Sequence, residues 1–134
     1  MLYAPRNVSE YINTLIRKGL PYVKGDEEDS FFADPEVGFN CWGFTWHMFE
    51  YTGITLSKNP HQARLLFHEV KNPSYRCLVA FKNYSLTEPI HVGFMETHRV
   101  VVQCSGTTQG VARLYLNNFT TTYKFYELKD APSN

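Results

Sequence analysis

A cysteine that follows a turn-forming segment and opens a helical pattern is a candidate nucleophile, and Asn40-Cys41-Trp42-Gly43-Phe44 has that form. Pro35 and Gly38 rule out a regular helix before it, whereas Phe44, Met48 and Phe49 recur at helical spacing after it. Asn40 has the chemistry of an N-cap. Cys41 then falls in the first turn, where unpaired N–H groups and the positive end of the helix dipole are expected to favour thiolate over thiol. The same residues also suit an inert buried thiol.

Thiol catalysis needs a base, a group that orients the base, and donors for the oxyanion. Of five histidines, His91 has the best setting. It opens the strand pattern Ile90-His91-Val92-Gly93-Phe94-Met95, and Gly93, on the same face, leaves the imidazole uncrowded. Gln103 lies on the following strand, within reach of the far ring nitrogen across a hairpin. A structural strand histidine and an ordinary exposed glutamine remain open as readings of these two residues. His47 lies on another face of the Cys41 helix. His61 and His68 stand two turns apart on an expected third helix that lacks the glutamate of a zinc-protease motif. They are read as surface residues, as is His98 in a turn, so no metal site is expected.

The elements that must position these groups follow from periodicity. Val8, Tyr11, Ile12, Leu15 and Ile16 form a helical stripe ended by Gly19 and Pro21. The acidic segment Gly25 to Ser30 and the stretch Asp34 to Phe39 make the loop leading to Cys41. Gly53 stops the second helix. Asn59-Pro60 starts a third, carrying Ala63, Leu66, Phe67 and Val70. From Cys77 the texture becomes β-branched and aromatic in five runs: Cys77 to Phe81, Ile90 to Glu96, Arg99 to Cys104, Val111 to Leu116 and Tyr123 to Leu128. Turn chemistry at Asn83-Tyr84-Ser85, Thr97-His98, Ser105-Gly106 and Asn117-Asn118 suits an antiparallel meander. Helices first and strands afterwards give an α+β fold, one domain over 1–130 with a short tail at 131–134. Phe44, Trp46, Phe49 and Phe67 are expected in the core, Cys77 and Cys104 as buried thiols. Trp42 either walls a substrate groove or packs.

Composition narrows the function. The 134 residues carry 13 Lys+Arg against 13 Asp+Glu, with no basic block to gather nucleic acid or anionic lipid. The first six residues lack a basic region followed by an apolar run, and no segment has the length of a membrane span, so a soluble chain made in the cytoplasm is expected. Three cysteines at irregular spacing fit neither a disulfide framework nor a zinc ribbon, and reduced thiols are expected. The sequons at Asn7, Asn83 and Asn118 are read as chance matches.

The order of the pieces carries a resemblance. Gly19-Leu20-Pro21-Tyr22-Val23, Gly38-Phe39-Asn40-Cys41-Trp42-Gly43-Phe44, Gly53-Ile54, Gln62, His91-Val92-Gly93-Phe94-Met95 and Gly110-Val111 together resemble the NlpC family of cell-wall cysteine peptidases over nearly the whole chain. The resemblance implies a papain-like core with N-terminal helices, the cysteine at a helix start, and a C-terminal antiparallel sheet of about five strands. It also implies Cys41 as nucleophile, His91 as base, and Gln103, twelve residues on, as the polar third residue. Tyr22 matches the tyrosine near the oxyanion and substrate amine, and Asn40 and Trp42 flank the site as substrate-binding positions. The family's aspartate and serine there are replaced by Asn40 and Trp42, and its Pro-Gly-Asp-Leu strand start by Arg76-Cys77-Leu78-Val79. Cys41-Trp42-Gly43 is similar to the phage tail-associated branch. The implied function is cleavage of a stem-peptide amide in bacterial peptidoglycan through a thioester, without metal or organic cofactor, by a virion tail or tail-tip hydrolase. The altered flanks leave two alternatives: a tail-tip structural or binding component that has lost turnover, and an amidase or acyltransferase on another substrate.

Overall fold

A computed structural model describes residues 1–24, 31–81, 91–106 and 108–129. The expected acidic loop at 25–30, the turn at 83–85, Ile90 and the tail at 131–134 lie outside these residues. The chain runs α1 (Arg6–Lys18), β1 (Ala33–Asp34), β2 (Gly38–Phe39), α2 (Cys41–Tyr51), α3 (Pro60–Ala63), a 3-10 turn (Arg64–Leu66), β3 (Phe67–Val70), β4 (Leu78–Phe81), β5 (His91–Met95), β6 (Val100–Ser105), β7 (Gly110–Tyr115) and β8 (Tyr123–Leu128). A second 3-10 turn, Leu116–Asn118, precedes β8. The architecture is α+β, as the sequence implies.

The α1 stripe buries Val8, Ile12 and Leu15, and Gly19 closes the helix in the left-handed region at φ 64°. A part-buried ion pair pins this helix to the sheet. Glu96, just after β5, receives Nε and NH2 of Arg113 on β7 at 2.6 and 3.0 Å, and the same guanidinium continues to Asn13 Oδ1 and the Ser9 carbonyl on α1.

Helix α2 is apolar nearly all round, so it must be enclosed. Asn40 caps it, its Oδ1 accepting from Gly43 N at 2.7 Å. The Phe32 carbonyl accepts from Asn40 N at 3.0 Å and lies where a side chain on Gly43 would go, an added Cβ falling 1.9 Å from it. On another side, the chain after α2 folds back, and its Leu56 and Lys58 carbonyls accept from the Trp46 and Trp42 indoles, both at 2.7 Å. Phe49 packs edge-on to Phe67 and Phe94, joining helix to sheet.

The main sheet is antiparallel with strand order β3-β8-β4-β5-β6-β7. Six strands, rather than five, therefore form it. The extra one is Phe67–Val70, expected as the end of the third helix, which stops at Ala63. A run with apolar residues three and four apart satisfies either period over so short a span, and the β8 backbone decides, pairing Phe67↔Leu128 through Val70↔Phe125. His68 accordingly lies on a strand and is exposed, as is Leu66, which a helical stripe would have buried. Only β4 to β7 form the expected meander, because β8 returns to pair with β4 and β3. Part of the loop before Cys41 is also ordered as a hairpin, Ala33↔Phe39 and Asp34↔Gly38. Its turn is held by Asp34 Oδ1, which accepts from Glu36 N at 2.9 Å.

Two further histidines are in part enclosed, one of them His98, for which a surface position was expected. His98 lies under the N-terminal segment, its N–H donating to the Leu2 carbonyl at 2.9 Å and its ring edge-on to Tyr3. The other, His47, packs on Phe39 and bonds the Tyr11 hydroxyl through Nε2 at 2.5 Å, linking α2 to α1. Burial pushes the His47 pKa below its ordinary 6.5, against a smaller opposing effect of Glu50. Among the described residues, no helix is long and apolar enough to cross a membrane.

Two expectations follow. Gly43→Ala must displace the Phe32 carbonyl and should lower stability by about 3 kcal/mol, the upper end of overpacking costs, read as a drop in urea midpoint. For His47, the unfolded chain binds the extra proton that the folded ring refuses. Stability is therefore flat above the ordinary pH 6.5 and falls as pH drops from there through the depressed folded value. Thermal melting between pH 7.5 and 5 should show this fall, and His47→Gln should make it shallower.

Candidate active site

Cys41 is the first residue of α2, delivered there by the β1–β2 hairpin and the Asn40 cap. The main-chain N–H groups of Val92, Trp42 and Cys41 itself act to lower the pKa of its thiol. The sheet opens locally beside Val92. The β5–β6 ladder runs only through Phe94↔Val102 and Met95↔Val101, although β5 begins at His91 and β6 continues to Ser105. The start of α2 thus abuts the opened end of β5.

His91 and Gln103 reach each other across the same opening, with His91 Nε2 and Gln103 Oε1 2.5 Å apart. An amide oxygen only accepts, so the ring hydrogen sits on Nε2 and Nδ1 carries the free lone pair. Gln103 is 4% exposed, which overturns the reading of an ordinary surface glutamine. His91 also packs on the Phe81 ring at 5.5 Å. No direct thiol–imidazole hydrogen bond is present among the described residues. Catalytic pairs are often loose before substrate binds and tighten with it.

Burial governs the electrostatics. It raises the Cys41 thiol above its ordinary 9.0, outweighing the lowering by the three N–H groups, so the thiolate expected of a helix start is not the resting form. Burial likewise lowers His91 below 6.5, against the opposing hydrogen bond from Gln103. The resting pair is a neutral thiol and a neutral imidazole.

Tyr22 lies near enough to this site to feel the Cys41 charge, and a threaded segment holds it there. Phe39 N donates to the Pro21 carbonyl at 3.2 Å and Val23 N to the Phe39 carbonyl at 2.9 Å, so residues 21–23 run parallel to β2. Gly38 and Gly110, at φ 154° and 138°, make room for it, since a Cβ on either would fall 2.4 and 2.3 Å from the Pro21 and Leu20 carbonyls. Burial, then the negative charges that Cys41 and Cys104 can carry, raise the Tyr22 pKa, and the phenol stays a donor.

Asn40 and Trp42 are placed differently from the other site candidates. The Asn40 side chain is 4% exposed and caps α2. Trp42 belongs to the core cluster, with its indole N–H on the Lys58 carbonyl, so of its two readings the structure gives packing. The sequence reading missed the Val92 amide, for which a backbone donor leaves no residue-type signal. It also gave Cys104 no role beyond burial, although its place beside Gln103 was visible.

The chain matches no protein-family model and no curated protein. Among solved structures, the P60 domain of an antigen from M. avium subspecies paratuberculosis is similar, with a TM-score of 0.54 at 16% sequence identity. The match covers 89% of this chain and 95% of that one. The opened sheet with a cysteine-bearing helix start beside it thus stands on a fold shared with that P60 domain.

Proposed function

We propose that the chain is a cysteine peptidase that cleaves an amide bond in the stem peptide of bacterial peptidoglycan, working from a phage tail or tail tip. The observation that carries the peptidase reading is the His91–Gln103 bond at the opened end of β5, one residue from Val92, whose amide acts on the Cys41 thiol, within a P60-type fold. The tail location is supported by the resemblance of Cys41-Trp42-Gly43 to the tail-associated branch.

With a neutral resting pair, proton transfer accompanies attack instead of preceding it. His91 Nδ1 takes the Cys41 proton as sulfur adds to the amide carbon. The Cys41 N–H and the Tyr22 hydroxyl donate to the oxyanion. His91 returns the proton to the departing amine, leaving a thioester that water hydrolyses. Gln103 holds the ring in the tautomer this requires. Every group used belongs to the chain itself.

A second reading is a peptidoglycan-binding tail component without turnover. Asn40 and Trp42, at positions where substrate contacts were expected, are instead engaged in capping and packing.

Incubation with purified peptidoglycan should release new free amines, with none from Cys41→Ala. Loss for His91→Ala should be at least about a hundredfold, the scale of general-base catalysis, and smaller for Gln103→Ala. Wild-type release equal to the Cys41→Ala control, with both proteins still sedimenting with peptidoglycan, would establish the binding reading. Product masses that do not fit stem-peptide cleavage would point to an amidase or acyltransferase. Immunolabelling of virions checks the tail location. Independently of turnover, iodoacetamide should modify Cys41 with an apparent midpoint above pH 9, because burial raises the thiol. A plateau reached by neutral pH would contradict the neutral resting pair.

A further inference from the structure

We propose that Cys104 is a positioning residue for Cys41, tying the strand that enters α2 to the same β6 strand that carries Gln103. This rests on the nucleophile reading of Cys41. Cys104 is fully buried, and its thiol donates to the Phe39 carbonyl at 3.2 Å. Phe39 ends β2, two residues before Cys41, and its carbonyl also accepts from Val23 N at 2.9 Å, beside Tyr22. One carbonyl therefore collects a donor from the Tyr22 segment and a donor from β6.

Consecutive residues of a strand point to opposite faces, and β6 uses both. Cys104 points to the helix side, within the cluster that contains Phe39, Phe44 and Phe94. Gln103 reaches His91, whose ring lies against Phe81 of the other cluster. A single strand thereby fixes the base from one face and the approach to the nucleophile from the other. Any slide of β6 would disturb both together.

The choice of a thiol suits the location. A thiol is a weak donor with little hydration to lose, so it can be enclosed completely where a hydroxyl would lose more solvation. Burial, then the nearby Cys41, push its pKa up to about 12. It stays neutral at working pH, neither competing as a nucleophile nor adding negative charge that would oppose thiolate formation at Cys41.

The test is the iodoacetamide reactivity of Cys41, followed by peptide mapping against pH, in wild type, Cys104→Val, Cys104→Ala and Cys104→Ser. This reports on the thiol whether or not peptidoglycan is cleaved, so failure of the peptidase reading and failure of this one are separable. The two donor-less variants should react about fivefold more slowly at a fixed pH, the scale of one lost hydrogen bond, with an altered pH midpoint. Cys104→Ser restores a donor and should fall within about twofold of wild type on the same scale. Superimposable profiles for wild type and either folded donor-less variant would overturn the proposal. So would a serine variant as slow as valine, because volume and not donation would then be the cause. If neither donor-less variant folds, the bond is a requirement of the fold and the proposal is equally overturned.

Discussion

The Phe32 carbonyl wedged against the first turn of α2 is the contact on which the rest of the site depends. It accepts the Asn40 amide and occupies the space that any side chain at position 43 would need. Together with the Asn40 cap it sets where α2 begins and how closely the preceding hairpin lies on it. That placement turns the helix start toward β5, where Val92 lies beyond the end of the β6 ladder and its amide acts to lower the Cys41 pKa. With Ser in place of Trp42 the helix could start in the same way, but the fold-back of residues 56–58 would lose the indole anchor at Lys58.

Enclosure has opposite effects on the two halves of the site. It strengthens the effect of main-chain donors on the Cys41 thiol, yet it also removes solvation that a thiolate would enjoy. Here the second effect wins for Cys41, and the same effect holds His91 neutral. Charge separation between the two groups is consequently disfavoured in the resting site.

Much of the arrangement was legible in the residues because it is local. The α1 stripe, the Asn40 cap and the α2 start rest on spacing and capping chemistry within a few positions. Gln103 could be matched to His91 because a hairpin places consecutive strands side by side, even though the ladder between them is short. What escaped was set by distant partners. Residues 67–70 form a strand because β8 lies beside them, and nothing within the segment outweighs that pairing. Trp42 turns inward because a carbonyl sixteen residues later is waiting for its N–H. The Val92 amide depends on where a ladder ends, which side-chain pattern does not encode.

The threading of residues 20–23 between Gly38 and Gly110 has a further consequence, an entropic one. Ordering a loop costs conformational freedom, and a loop that orders only around its ligand meets that cost out of the affinity. The segment bearing Tyr22 is already confined on two sides by backbone, from β2 and from the start of β7, before anything binds. Its main chain has little freedom left to surrender, so the phenol is carried on a preorganised segment, and the loss was incurred once, when the chain folded.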